Sequence, residues 1–336
     1  MQEIAAAAGL QYATTAHLPA VLEECRGRVL GIVGFGASSS AREDMAWAWA
    51  DMPVIGDDRA FEVWTSATPV QYEARDRLRS ARNAQILFGC LEIGQDQHNH
   101  YDDLIFDEYC AIFDYLDEKG YPNLVRIWHY LPDIHLDERE LERYKRFSLG
   151  RHEAFVAKGR AISADAPAAS AVGKRSGNTV ICFLAAPRPG IPIENPRQVS
   201  AYSYPAQYGP RGPTFSRALF TIWDQLPQLY ISGTAAIFGH HSQHEGDADA
   251  QAAETIVNLR SVMDEARAQG LIDSGQSTEM LFKVYLRQPA FHAVAQARLR
   301  EAFGPAPTII CLQADICRRE LLLEIEVVCT NRAAFA

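Results

Sequence analysis

The chain has 336 residues, enough for two domains of ordinary size, each with its own core. About half of its residues (48%) are hydrophobic, 22% are charged and the formal charge is −10, a globular profile that excludes a general nucleic-acid or membrane-surface role. Its cysteines (Cys25, Cys90, Cys110, Cys182, Cys311, Cys317 and Cys329) are scattered without a CxxC pair, and neither a membrane-length apolar run nor an export signal is visible. The expectation is therefore a cytoplasmic protein with reduced thiols.

Residues 1–30 open on an alanine-rich segment that predicts little. Residues 28–36 (RVLGIVGFG) read as a buried strand ending in a glycine turn, because GxG without a third glycine and a following helix is a poor phosphate loop. Residues 61–68 are a further strand candidate. Residues 85–93 (QILFGCLEI) form an apolar strand broken by Gly89, which marks a bulge or a close backbone approach. A helix follows over 101–119, with Leu104, Phe106, Tyr109, Phe113 and Leu116 as its buried stripe and Gly120 as its stop. Next come a strand over 124–131, a second helix over 136–158, and a hairpin built from 170–172 and 179–185.

A Pro/Gly-rich crossing, RPGIPIENP, reads as a linker, and beyond it the same order recurs. Residues 228–237 are a strand interrupted by Gly233. Residues 249–268 are an amphipathic helix, 280–286 a strand, 291–303 a helix and 308–328 a closing hairpin turning at Arg318-Arg319-Glu320. QILFGCLEI aligns with LYISGTAAI, and LVRIWHYLPDI with LFKVYLRQPAF, so an internal duplication is the simplest account. The expected division is 1–187 and 188–336, each half an α+β unit with a mixed sheet and two helices packed on one face.

Only the second half carries acids in its last strand. Alternation puts Leu321, Leu323, Ile325 and Val327 on one face, and Leu322, Glu324, Glu326 and Val328 on the other. Two carboxylates on an apolar strand are costly if that face is buried, which points to a cleft where Glu324 or Glu326 does chemistry, with Cys317 beside it. A solvent-facing acidic edge fits the composition equally well. Residues 202–217 (YSYPAQYGPRGPTFSR) make a stiff loop of hydroxyl and guanidinium donors suited to a small planar anion, although surface arginines on a structural loop fit as well. His240, His241 and His244 lack the spacing of HExxH or a facial triad, so no metal is expected. Neither a GxSxG elbow nor a P-loop is present.

Together these segments resemble the chorismatase family, built from RidA/YjgF-like (chorismate mutase-like) domains. The resemblance rests on Tyr208-Gly-Pro-Arg211 with Pro213-Thr-Phe-Ser-Arg217, on Ser232-Gly-Thr-Ala235, and on Gly239-His240. It also rests on Gly246-Asp247 with Gln251 and Glu254, on Lys283-Val-Tyr-Leu-Arg287, and on Leu323-Glu324-Ile325-Glu326. It covers essentially the whole chain. It implies two tandem RidA/YjgF-like domains, the second catalytic, that cleave chorismate into 3-hydroxybenzoate, with 4-hydroxybenzoate beside it, and pyruvate. No cofactor, nucleic acid or membrane takes part, and the protein is a monomer or a RidA-like trimer. Glu324 matches the acid that protonates the enolpyruvyl methylene; Cys317 matches the position that separates the 3-hydroxybenzoate branch from simple chorismate hydrolases. Tyr208, Arg211, Arg217, Thr234, Ala235, Tyr285 and Arg287 are the expected substrate contacts, and Arg151 is the expected contribution of the first half. Ala235 departs from the glycine of other 3-hydroxybenzoate formers, as in xanthomonadin-pathway members that make both hydroxybenzoates for pigment. Ala306-Pro307-Thr308 stands where simple RidA proteins place an arginine, which disfavours imine deamination.

Overall fold

The computed structural model describes residues 9–331 apart from 37–43, 57, 95–99, 139, 273–277 and 306; the alanine-rich start and Ala306 thus lie outside the described residues. Residues 9–65 supply β1 (Gly9–Thr14), α1 (Leu18–Glu24), β2 (Val29–Phe35), β3 (Trp47–Ala50), β4 (Val54–Ile55) and β5 (Arg59–Thr65). Then come β6 (Gln71–Arg75), β7 (Leu78–Arg82), β8 (Leu87–Ile93), α2 (Tyr101–Lys119) and β9 (Asn123–Pro132), followed by β10 (Asp137–Glu138), β11 (Leu141–Glu142), α3 (Arg143–Ala157), β12 (Ala168–Lys174) and β13 (Thr179–Ala186). The remainder holds β14 (Ile191–Ile193), β15 (Ala218–Trp223), β16 (Leu226–Thr234), β17 (Ile237–Phe238), β18 (His241–Ser242) and α4 (Ala248–Ala268). It closes with β19 (Thr278–Leu286), α5 (His292–Phe303), β20 (Thr308–Gln313) and β21 (Leu323–Asn331).

Three large sheets result, with orders β1-β5-β2-β3, β12-β9-β13-β8-β7-β6 and β14-β15-β16-β21-β19-β20-β4. Their inner faces meet in one apolar core that joins Val33 and Phe35 from the first sheet, Phe88 and Trp128 from the second, and Tyr230, Tyr285 and Val328 from the third. Helices cover the outer faces: α2 and α3 the second sheet, α4 and α5 the third, and α1 the first. The fold is α+β, with two helices on one face of each of the two longer mixed sheets. Residues 9–65, in which the sequence shows strands near β2 and β5 but no separate sheet, build a third sheet, and their β4 adds to the far edge of the last one through Val54–Leu312 and Ile55–Cys311.

The periodic segments fold as their patterns demand. Helix α2 spans its expected residues, with Asp102 and Asp103 at its positive end, Lys119 at its negative end, and Gly120 in the left-handed region at φ 80°. Helix α3 starts later than expected, because the charged run before it forms the β10–β11 hairpin, tied down by Arg143 and Arg146 on Glu138. Gly89 is a close approach: a Cβ there would stand 2.2 Å from the Phe183 ring. The two expected hairpins are corrected. Strand β12 pairs in parallel with β9 and β13 lies on the other side of β9, while β19 likewise separates β20 from β21. In each half a helical crossover links parallel neighbours, and the final strand returns antiparallel on the opposite side. The Arg318-Arg319-Glu320 turn therefore belongs to a loop between non-adjacent strands.

Candidate active site

At the seam between the second and third sheets, edge strand β12 runs beside β16. Ala169 donates its amide to Ser232 Oγ at 2.8 Å, and Gly233 donates its amide to Ser170 Oγ at 3.0 Å. Gly173 and Asp315 exchange backbone hydrogen bonds farther along. Between the strands lies a cavity of about 280 Å³. Helix α3 and β12 form its first-half wall, β16, β21 and the 315–322 loop its second-half wall, and the 204–217 loop lies across it.

Glu324 and Glu326 share the inward face of β21, as the alternation predicts, while Leu323, Ile325 and Val327 turn toward α4 and α5. Both carboxyls are buried, yet they differ in state. Glu324 faces the cavity against Gly233, where a Cβ would stand 1.9 Å from its Oε1. Any side chain at 233 would collide with the carboxyl, which explains the glycine inside this strand. Burial, and secondarily the charge of Glu326, push Glu324 up to about 8, so the carboxyl holds its proton at neutral pH. Glu326 accepts from Ser170 Oγ (2.6 Å), Arg126 (2.7 Å), Trp128 Nε1 (2.8 Å) and Tyr285 Oη (3.1 Å), and pairs with Lys283 (2.8 Å). Burial alone would raise it; Lys283 and Arg126 outweigh burial and hold it down at about 2. One carboxyl is thereby a proton donor and its neighbour a fixed anion.

Of the residues expected at the site, Glu324, Cys317, Tyr208, Arg217, Ala235 and Arg151 line the cavity together. Ala235, not Ala236, is the lining alanine of β16's extension. Burial first, and Glu324 second, push the Cys317 thiol up to about 12, so it is a neutral side chain and no thiolate nucleophile. Arg151 is 2% exposed, its guanidinium lies over Tyr109 at 5.4 Å, and its Nε and Nη2 have no hydrogen-bond partner among the described residues. Arg217 donates through Nη2 to Val199 O and Tyr204 Oη, both at 2.8 Å, and leaves Nε unpartnered among the described residues. Unpartnered buried guanidinium nitrogens are costly, and an anionic ligand in the cavity would satisfy them.

Four expected contacts lie elsewhere. Tyr285 is fully buried behind Glu324 and donates to Glu326. Thr234 turns its hydroxyl back to Ser232 O at 2.8 Å, because the strand register shifts there. Arg287 is occupied in holding the 315–322 loop, donating to Leu321 O (2.9 Å), Asp315 (2.5 Å) and Arg318 O (2.9 Å). Arg211 is exposed outside the cavity lining.

Sequence reasoning missed Ser170, Tyr144 and Arg318. Arg318 stacks 3.9 Å over the Tyr208 ring and donates to His240 O at 2.9 Å, clamping the 204–208 segment, while its Nη2 is unpartnered among the described residues. Arg126, Lys283 and Glu62, which organise Glu326, were visible as single charges inside otherwise apolar strands.

A family model described as "Chorismatase FkbO/Hyg5-like, N-terminal" matches residues 62–185. A 3-hydroxybenzoate synthase of Streptomyces hygroscopicus is 35% identical over 280 residues, which cover 79% of this chain and 80% of that protein. A chorismatase of the same organism is 33% identical over 311 residues, 89% of this chain and 88% of the relative. A chorismatase crystal structure superposes with a TM-score of 0.84 at 29% identity, covering 95% of this chain and 97% of the other.

Proposed function

The chain belongs to the chorismatase family, and on that premise we propose that it cleaves chorismate to a hydroxybenzoate, chiefly 3-hydroxybenzoate, and pyruvate. The observation that carries this reading is Glu324: a buried carboxyl held up at about 8, facing a cavity lined by Arg151, Arg217 and Arg318, each with at least one guanidinium nitrogen unpartnered among the described residues. A dicarboxylate substrate supplies anions for those nitrogens. Glu324 gives its proton to the enolpyruvyl methylene carbon, which leaves an oxocarbenium-like centre on the ether carbon. The ring hydroxyl oxygen, rather than bulk water, attacks the ring carbon that carries the ether oxygen and returns its proton to Glu324. That ring-to-ether C–O bond breaks, its electron pair makes the keto group of pyruvate, and the three-membered C–O–C ring opens as the carbon ring loses a C–H proton and aromatises. Substrate and products then balance without added water. Neutral Cys317, next to Glu324, excludes water from the reacting face. The ring of Tyr208, held under Arg318, closes the cavity.

Among the described residues no group of three or more His, Cys, Asp or Glu side chains is placed to hold a metal ion. None of the helices described is long and apolar enough to cross a membrane. All seven cysteines are free thiols, which supports a cytoplasmic location. Three sheets already close around one core within the chain, which supports a monomer over a trimer.

Purified protein incubated with chorismate, with pyruvate assayed and products separated by chromatography, tests the reading. Pyruvate with 3-hydroxybenzoate supports it, and any 4-hydroxybenzoate measures the leak at Ala235. Pyruvate with only a dihydroxycyclohexadiene carboxylate would make the protein a chorismate hydrolase and remove the role given to Cys317. Absence of pyruvate sinks the proposal.

A further inference from the structure

Behind Glu324 the three sheets each send a charge to the centre of the shared core. Lys283 on β19 lies between two carboxylates, 2.8 Å from Glu62 on β5 and 2.8 Å from Glu326 on β21. Arg126 on β9 closes the line at 2.7 Å from Glu326. Lys283 is 0% exposed, Glu62 and Arg126 1% each, and the ammonium is walled by the rings of Phe35 and Trp128, both at 5.4 Å. Water does not screen these groups; Glu326 and Arg126 act on the Glu324 carboxyl directly, and Glu62 and Lys283 act on it through Glu326.

Burial pushes Glu62 up and Lys283 pulls it back. With Glu62 ionised, two anions and two cations cancel among themselves, and ionising Glu324 adds one uncompensated negative charge to the core. Ser170 seals the arrangement from the cavity side, because its one hydroxyl proton goes to Glu326 while it accepts from Arg126 at 2.6 Å and from the Gly233 amide at 3.0 Å. It has no proton left to give a Glu324 carboxylate. Glu62 is the remote member of this set. Its Oε1 accepts from Lys283, and its Oε2 has no partner among the described residues.

We propose that Glu62, supplied by the N-terminal sheet, is a positioning residue of the proton-donor site: it completes a neutral, buried Glu62–Lys283–Glu326–Arg126 cluster beside which an ionised Glu324 is an uncompensated charge. This rests on the reading of Glu324 as the proton donor. Facing the cluster are also the hydroxyls of Tyr130, which accepts from Lys283 at 3.2 Å, of Tyr285, which donates to Glu326, and of Tyr12. Without the Glu62 charge, Lys283 would keep Glu326 and Tyr130 as partners, the cluster would carry a surplus positive charge, and Glu324 would surrender its proton more readily. The other titratable or charged groups around the cavity are Glu142, Tyr144, Lys145, Arg151, Tyr204, Tyr208, Arg217, Cys317, Arg318, Arg319 and Glu320. Among the described residues none of these is hydrogen-bonded to Glu62, Lys283 or Glu326, and the variants below leave them all in place.

The test compares wild type, Glu62→Gln and the double variant Glu62→Gln/Lys283→Met by the pH dependence of kcat/KM for chorismate. It is paired with a carbon-13 titration of the Glu324 carboxyl in substrate-free protein. In Glu62→Gln the alkaline limb and the Glu324 titration are expected to move down by about one pH unit. The double variant, which restores neutrality by removing one charge of each sign, is expected to return both close to wild type. An unshifted Glu62→Gln, or a double variant as displaced as the single one, overturns the proposal. If Glu62→Gln does not fold, the wild-type carboxyl signals decide: Glu62 ionised at pH 7 beside a protonated Glu324 supports the cluster, and a protonated Glu62 refutes it. If wild type releases no pyruvate yet its Glu324 titration shifts as described, the assigned reaction fails while the cluster stands.

Discussion

At the scale of single residues, the site turns on two glutamates two positions apart that are held in opposite protonation states. Glu324→Gln keeps the shape and loses the proton, so turnover of chorismate is expected to fall by about 10²- to 10⁴-fold with the fold intact, measured as pyruvate release alongside circular dichroism. The same substitution should stabilise. The Glu324 carboxyl moves from an ordinary 4.5 to about 8 on folding, so wild type loses stability as pH rises through that window while the Gln variant does not. Denaturant unfolding at pH 5 and pH 8 should show the variant's advantage growing to a few kcal/mol, on the order set by a shift of this size. Equal pH dependence in the two proteins would show Glu324 to be ionised in the native state. For Cys317→Ala, a smaller side chain admits water beside Glu324, and chromatography should show product moving from hydroxybenzoate to the dihydroxy acid. An unchanged ratio would show that the thiol takes no part in excluding water.

At the scale of elements, α4 does more than cover a sheet. Its Asn258 donates to Ala235 O at 3.1 Å and Ile237 O at 2.9 Å, fixing the wall of the cavity just beyond β16. Asn258→Ala removes one of two donors from each carbonyl, since Ile237 N still serves Ala235 O and Gln198 Nε2 still serves Ile237 O, and should cost about 1 kcal/mol in denaturant unfolding, with a raised KM for chorismate. A raised KM without lost stability would place the effect outside these bonds. The same scale shows what could be read from the sequence. Helix α2, with a clean stripe and a glycine stop, was legible to the residue; alternation showed that Glu324 and Glu326 share one face of β21, but composition fitted a cleft and a solvent-facing edge equally, and only the sheet decides between them. Strand pairing was not. Two apolar strands close in sequence look like a hairpin, whereas β9 and β19 reach their parallel partners through helical crossovers that periodicity does not reveal. Thr234 pairs with Ile325 and shares its outward face, whereas Tyr285 pairs with Glu324 on the inward face but reaches Glu326 instead of the cavity; a motif gives adjacency along the chain, and only the sheet decides what a side chain meets. Arg151 and Cys317, far apart in sequence, meet only because β12 lies beside β16.

At the scale of the molecule, one core shared by three sheets predicts one cooperative transition. Calorimetry should give equal calorimetric and van 't Hoff enthalpies, and two resolved transitions would mean that the halves unfold separately. Strand β4 has its partner β20 on the far side of the sequence, Glu62 meets Lys283 across 221 positions, and Glu326 sits on β21, in the middle of its sheet between β16 and β19. During synthesis every other described strand leaves the ribosome before β21 does. Until then the third sheet has a gap at its centre and Arg126 lacks its anion, while β4 waits for β20. The N-terminal sheet is therefore without the third sheet for most of translation, a span in which pairing this distant in sequence leaves a nascent chain open to aggregation.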